Sequence, residues 1–164
     1  MIATQPEQKT LSLGFLGVGW IGRNRMEMIL KHSNAKAEVI VEPSQENAAE
    51  ALKIAENGKL EESYSAMVQK DDLDGIVIAT PSAMHARQSI EALKAGKAVF
   101  CQKPLGRTAA EVKEVVRASV EADKLLAVDL SYRYVKAFQE VHRLITNKEI
   151  GEIYAVDLVF HNAY

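Results

Sequence analysis

Leu11-Ser12-Leu13-Gly14-Phe15-Leu16-Gly17-Val18-Gly19-Trp20-Ile21-Gly22 is the stretch that decides how this 164-residue chain folds. Its first half, Leu11 to Leu16, is apolar enough for a buried strand. It runs into a G-x-G-x-x-G set at Gly17, Gly19 and Gly22, and beyond that Ile21, Met28, Ile29 and Leu30 share one face of a helix. Strand, glycine turn and helix in this order predict a dinucleotide-binding turn. Gly17 allows the tight turn, Gly19 lets the backbone approach a pyrophosphate, and Gly22 lets helix and strand pack closely. The free N–H groups and the positive dipole end of the helix then face the phosphates. Trp20 and Ile21, at the helix start, join the glycines as candidate cofactor contacts, although a partly buried aromatic at a helix start explains Trp20 equally well. Arg23 and Arg25 follow in the first turns, where they either add charge or are simply solvated.

A second strand pattern, Ala37 to Val41, ends at Glu42. That places Glu42 about 20 residues past Gly22, the spacing expected of the acidic residue that holds the adenosine ribose. Its carboxylate would accept from both ribose hydroxyls and repel a 2′-phosphate, which favours NAD over NADP. The alternative is that Glu42 caps the next helix, with Pro43 and Ser44 forming the turn.

The whole chain bounds these readings. Hydrophobic residues make up 48% and charged residues 26%, the balance of a folded globular chain rather than a disordered one. A net charge of −2 with both signs scattered offers no surface for nucleic acid or an anionic membrane, so neither partner is expected. No apolar run approaches the roughly 18 residues of a membrane span, and MIATQPEQKT has no apolar core of a leader and reads as a tail. The single cysteine, Cys101, excludes an internal disulfide and agrees with a reducing cytoplasm.

Further along, 47–57 reads as a helix closed by Gly58, and 64–70 as a short helix or turn. Ile76 to Ala79 is an unbroken apolar run, the mark of a central parallel strand, and it stops at Thr80-Pro81. A helix from Ser82 to Lys94 follows. Ala98 to Cys101 is another buried strand, stopping at Gln102-Lys103-Pro104. Thr108 with Glu111 makes a capping box ahead of a helix over 109–123. A strand over 125–130 and a helix over 135–146, carrying Phe138, Val141, Leu144 and Ile145 on one side, come next. A half-polar strand over 152–160 ends the pattern. Alternating strands and helices of these lengths predict an α/β, doubly wound, mostly parallel sheet, the Rossmann fold. In such sheets ligands bind at the carboxyl ends of the strands, so the glycine loop, Thr80-Pro81 and Gln102-Lys103-Pro104 should share one rim.

On these residues the chain resembles the Gfo/Idh/MocA oxidoreductases, from GFLGVGWIG through IVIATPSAMH and AGKAVFCQKPLGRTAAE to EIGEIYAVDLVF. The resemblance implies a tail over 1–10 and a dinucleotide-binding Rossmann domain over 11–133. It also implies that 134–164 is a linking helix and the first strand of an incomplete α+β domain for substrate and oligomer contacts. It further implies NAD(P)-dependent hydride transfer to or from a hydroxyl-bearing carbon of a small-molecule sugar, inositol or polyol, in a cytoplasmic homo-oligomer. The chain alone would then bind cofactor better than it turns substrate over. Lys103, in the position of the family's E-K-P lysine, would help move the hydroxyl proton, and partial desolvation would suit it to that task. Gln102 replaces the family's glutamate, and this puts catalysis rather than cofactor binding in question. Thr80, Pro81 and His85 match the loop that lines the cofactor, with His85 read as a structural hydrogen-bonder. Arg133 would approach the nicotinamide or substrate. His32, His142 and His161 have no metal-ligand spacing, so no metal is expected. The competing reading is a non-catalytic dinucleotide-binding regulatory or interaction module.

Overall fold

β1 (Leu11–Leu16) is the central strand of the sheet, and its neighbours explain why it is so apolar. The computed structural model describes residues 9–55, 57–159 and 161. It divides the chain into two units, Met1–Asp129 and Leu130–Tyr164. In the first unit β1 is followed by α1 (Trp20–His32), β2 (Ala35–Val41), α2 (Gln45–Ile54), β3 (Lys59–Leu60) and α3 (Tyr64–Val68). Then come β4 (Gly75–Ile78), α4 (Ser82–Lys94), β5 (Ala98–Gln102), α5 (Ala109–Ala122) and β6 (Leu126–Asp129). The strands form one sheet in the order β3-β2-β1-β4-β5-β6, with every pairing parallel. The order turns back on itself between β1 and β4, the switch point at which doubly wound sheets bind ligands.

A sheet of this kind must be covered on both faces, and alternate side chains feed two cores. Leu16, Ile76, Ile78, Val99 and Cys101 pack on one face with Leu93 of α4 and Val115 of α5. Phe15, Ile40 and Val77 pack on the other with Met26 of α1 and Ala51 of α2. Cys101 is wholly buried, and burial pushes its thiol up to about 11, so it serves as a small hydrophobe.

Several boundaries shift by one or two residues from expectation, and three larger differences have physical reasons. The helix expected over 47–57 is Gln45–Ile54, because the Ser44 hydroxyl accepts from the Asn47 N–H at 3.3 Å and starts the helix two residues earlier. β3 was not expected, since two residues carry no periodicity. Residues 152–159 form no strand. A strand exists only through ladder partners, and this alternating stretch has none among the described residues; Phe160 lies outside them.

The second unit holds a 3-10 turn (Ser131–Tyr134) and α6 (Lys136–Thr146). The rings of Tyr132 and Phe138 lie 5.8 Å apart, and Phe138, Val141 and Ile145 of the expected apolar face are exposed. Among the described residues no helix is long and apolar enough to cross a membrane.

Candidate functional site

Because all six strands are parallel, the loops after β1, β2, β4, β5 and β6 leave one edge of the first unit. The glycine loop occupies the middle. Gly17 has φ +79°, a conformation that glycine adopts without strain. A Cβ there would also stand 2.9 Å from the backbone of Ala79 and Thr80, so the loops after β1 and β4 are in backbone contact. A Cβ on Gly22 would lie 2.1 Å from the Gly17 carbonyl oxygen. Over Gly19 there is open space, with nothing within 4 Å of a Cβ.

The two helices that flank the switch point, α1 and α4, start differently from α2, α3 and α5. Ser44, Ser63 and Thr108 cap α2, α3 and α5 through their hydroxyls. α1 starts at Gly19 with no side-chain cap and no acidic residue in its first turn, and α4 starts at Pro81 in the same way. The first N–H groups of a helix need acceptors, and an uncapped start leaves them for an anion. Open space above Gly19 beside an uncapped helix start fits a dinucleotide pyrophosphate.

Glu42 closes one side. Its Oε2 accepts from the Val18 N–H at 2.8 Å and its Oε1 from the Ser44 N–H at 3.0 Å. The two readings of Glu42 therefore meet in one side chain, which ties the glycine loop to the start of α2. A carboxylate has about four acceptor positions, so two backbone bonds leave room for ribose hydroxyls. Arg23 is not a solvated charge, because it reaches the Val18 carbonyl at 3.2 Å and Asn47 Oδ1 at 2.6 Å. Trp20 is 75% exposed, and Ile21 is also exposed, at the start of α1.

Across the switch point, Thr80 donates its hydroxyl to Gln88 Oε1 at 2.5 Å, and Pro81 is exposed. His85 is buried, with both ring nitrogens 2.7 Å from carbonyl oxygens, Nδ1 from Pro104 and Nε2 from Thr80. It fastens the loop after β4 to the loop after β5. Replacing it with alanine removes that tie and leaves a cavity. We expect His85→Ala to cost about 2–4 kcal/mol, read as a fall in melting temperature by calorimetry.

Lys103 is exposed, whereas partial desolvation was expected of it. Its N–H donates to Gln102 Oε1 at 2.7 Å. Gln102 itself is buried, and its Nε2 donates to Asp129 Oδ2 at 3.0 Å. Asp129 is also buried and pairs with the Nε of Arg25, which is therefore no free charge either. Sequence reasoning missed Asp129 and Gln88, and the pairing of Arg25 with the former; a carboxylate ending an otherwise apolar strand was the available signal for Asp129. Arg133 belongs to the second unit, where it lines a cleft with Tyr132, Phe138, Gln139 and His142.

A 3-2-1-4-5-6 sheet with a glycine loop at its switch point and a carboxylate ending its second strand defines a dinucleotide-binding Rossmann domain. The chain belongs to the Gfo/Idh/MocA family, an oxidoreductase family with an NAD-binding Rossmann fold, which matches residues 11–130. Inositol 2-dehydrogenase of Salmonella paratyphi B is 29% identical over an alignment of 157 residues that covers 94% of this chain and 47% of that protein. The scyllo-inositol dehydrogenase of Lactobacillus casei, solved with NAD(H) and scyllo-inositol, superposes with a TM-score of 0.79 at 25% identity. That match covers 88% of this chain and 43% of that one. The WlbA dehydrogenase of Bordetella pertussis, solved with NADH and UDP-GlcNAcA, gives 0.81 at 29% identity over 89% of this chain and 42% of that one. The chain thus spans about half the length of the curated relatives it matches.

Proposed function

We propose that this chain is the cofactor-holding part of an NAD-dependent oxidoreductase acting on a hydroxyl-bearing carbon of a small polyol, inositol or sugar. The observation that carries the reading is the joint presence, on one rim, of the open uncapped start of α1, the Glu42 carboxylate and the exposed ammonium of Lys103. When bound, the nicotinamide supplies a hydride acceptor or donor. Gly17, Gly19 and Gly22, with Trp20 and Ile21, hold the pyrophosphate against the helix start. Glu42 takes the adenosine ribose. Thr80 and Pro81 line the cofactor, and His85 and Gln102 fix the backbone around them. Lys103 holds or gives up the substrate hydroxyl proton at Nζ. Arg133 contacts substrate or nicotinamide. The inositol substrates of relatives support a polyol. We read the working protein as a cytoplasmic homo-oligomer in which residues from 134 onward contribute to the substrate domain; the buried thiol of Cys101 is compatible with a reducing compartment.

Titration of the folded chain with NADH and NADPH by calorimetry tests this reading. Saturable binding with NADH preferred is the expected result, and no binding of either at millimolar concentration overturns it. Glu42→Ala should weaken NADH by about tenfold or more, because a hydrogen-bonded ribose contact is lost, while NADPH weakens less. An unchanged NADH-to-NADPH ratio would remove Glu42 from the selectivity role.

A further inference from the structure

Position 102 must do two opposite things at once. It must accept from the Lys103 N–H, at 2.7 Å, and donate to Asp129, at 3.0 Å. An amide does both, and only one of its two orientations does: turned over, its NH2 would face an N–H and its oxygen a carboxylate. Gln102 and Asp129 are register partners at the ends of β5 and β6, so the backbone holds their side chains adjacent. Arg25 reaches the same carboxylate from α1, the helix that starts at the glycine loop. The chain Arg25, Asp129, Gln102 and the Lys103 backbone therefore runs without a gap from the cofactor helix to the proton-carrying lysine.

We infer that Gln102 is a built positioning residue of the site and not a decayed glutamate: Asp129 and Arg25 select the amide, which sets the Lys103 backbone. A carboxylate at 102 keeps the bond to the Lys103 N–H but aims its other oxygen at the Asp129 carboxylate with no proton between them. The Nε–H of Arg25 donates to Asp129, so that proton is not available to lie between the two. The charged or titratable groups around position 102 are Arg25 from α1, Asp129 from β6, Lys103 on its own loop, and His85 from α4 against the Pro104 carbonyl. Two carboxylates this close share a raised carboxyl pKa in the folded state relative to the unfolded one. The resulting loss of stability is then present at neutral and higher pH and is regained as pH falls into the ordinary carboxylate range.

The proposal deepens the reading of Lys103 as the proton carrier, but its main test needs no cofactor. Melting temperatures of the full chain would be compared at pH 8 and pH 5 for wild type, Gln102→Glu, Gln102→Met and the exchange Gln102→Glu with Asp129→Asn. The Glu variant should melt about 5 °C or more below wild type at pH 8, with the deficit at least halved at pH 5. The Met variant should lose less at pH 8 and show no pH dependence of its deficit, and the exchange should recover most of the loss, since donor and acceptor are only swapped. A Glu variant that melts with wild type at both pH values and binds NADH more tightly overturns the proposal. So does a Met variant that loses as much as the Glu variant. If the Glu variant does not fold, the exchange decides: a folded exchange supports the proposal and an unfolded one overturns it. A wild-type chain that fails to bind NADH while this stability pattern holds fails the functional reading alone.

Discussion

Gly22→Ala is expected to cost this domain about 4 kcal/mol or more, a large share of the 5–15 kcal/mol that holds a typical domain together. The new Cβ would stand 2.1 Å from the Gly17 carbonyl oxygen and 3.0 Å from its carbon. Both are backbone atoms, so no rotamer change relieves the overlap. Either α1 moves away from the loop, or the loop shifts and breaks the bonds that fix it. Those bonds are Gly17 N–H to the Val41 carbonyl at 2.9 Å and Val18 N–H to Glu42 at 2.8 Å. Alanine does improve helix propensity, by about 1 kcal/mol over glycine, and this decides nothing against an overlap of that size. Thermal unfolding followed by circular dichroism should show a fall of roughly 8 °C or more. Gly19→Ala is the control, since a Cβ there meets nothing. A Gly22→Ala chain melting within about 2 °C of wild type would mean that α1 sits further from the glycine loop than described.

The contrast between Gly19 and Gly22, three residues apart, marks the boundary of what the sequence could reveal. The order of strands, glycine turn and helices was legible because each element carries its own period and its own stop. Phe15 and Leu16 of β1 and Ile76 to Ile78 of β4 are apolar because both faces of their sheet are covered. Glu42 was legible as an acidic residue at a strand end, yet the two hydrogen bonds it accepts, from Val18 and Ser44, were not, because they depend on where two backbones converge. The same holds for Gln102. In the sequence it was a departure from the family's pattern, and its meaning lay in Asp129, 27 residues away and adjacent only through strand register. Arg25 is a further 77 residues upstream of Gln102, and a charge in a helix's first turns ordinarily faces water. Residues 152–159, where alternation predicts a strand, form none for the opposite reason. Their alternation is a local property, whereas a strand also needs a neighbour to pair with.

Gly19→Val is expected to abolish cofactor binding while sparing the fold, and the two parts have separate physical grounds. Gly19 has φ −58° and ψ −172°, a conformation open to any residue, and a Cβ there has no neighbour within 4 Å. The side chain therefore goes into free space. The fold loses only the preference for glycine over a β-branched residue at a helix start, about 1 kcal/mol or less. That free space lies at the N-terminus of α1, which has no side-chain cap and no acidic residue in its first turn. The N–H groups there can reach an anion only if its oxygens approach the backbone closely, and a valine side chain occupies the approach. The cost is the loss of several charge-assisted bonds together with the favourable end of the helix dipole, about 3 kcal/mol or more, or at least a hundredfold in Kd. Calorimetric titration with NADH, paired with a melting curve on the same sample, measures both parts. Unchanged melting with lost binding assigns the glycine to the ligand. Retained binding would show that the pyrophosphate does not lie over α1, and lost melting would show that the space over Gly19 is needed by the fold itself.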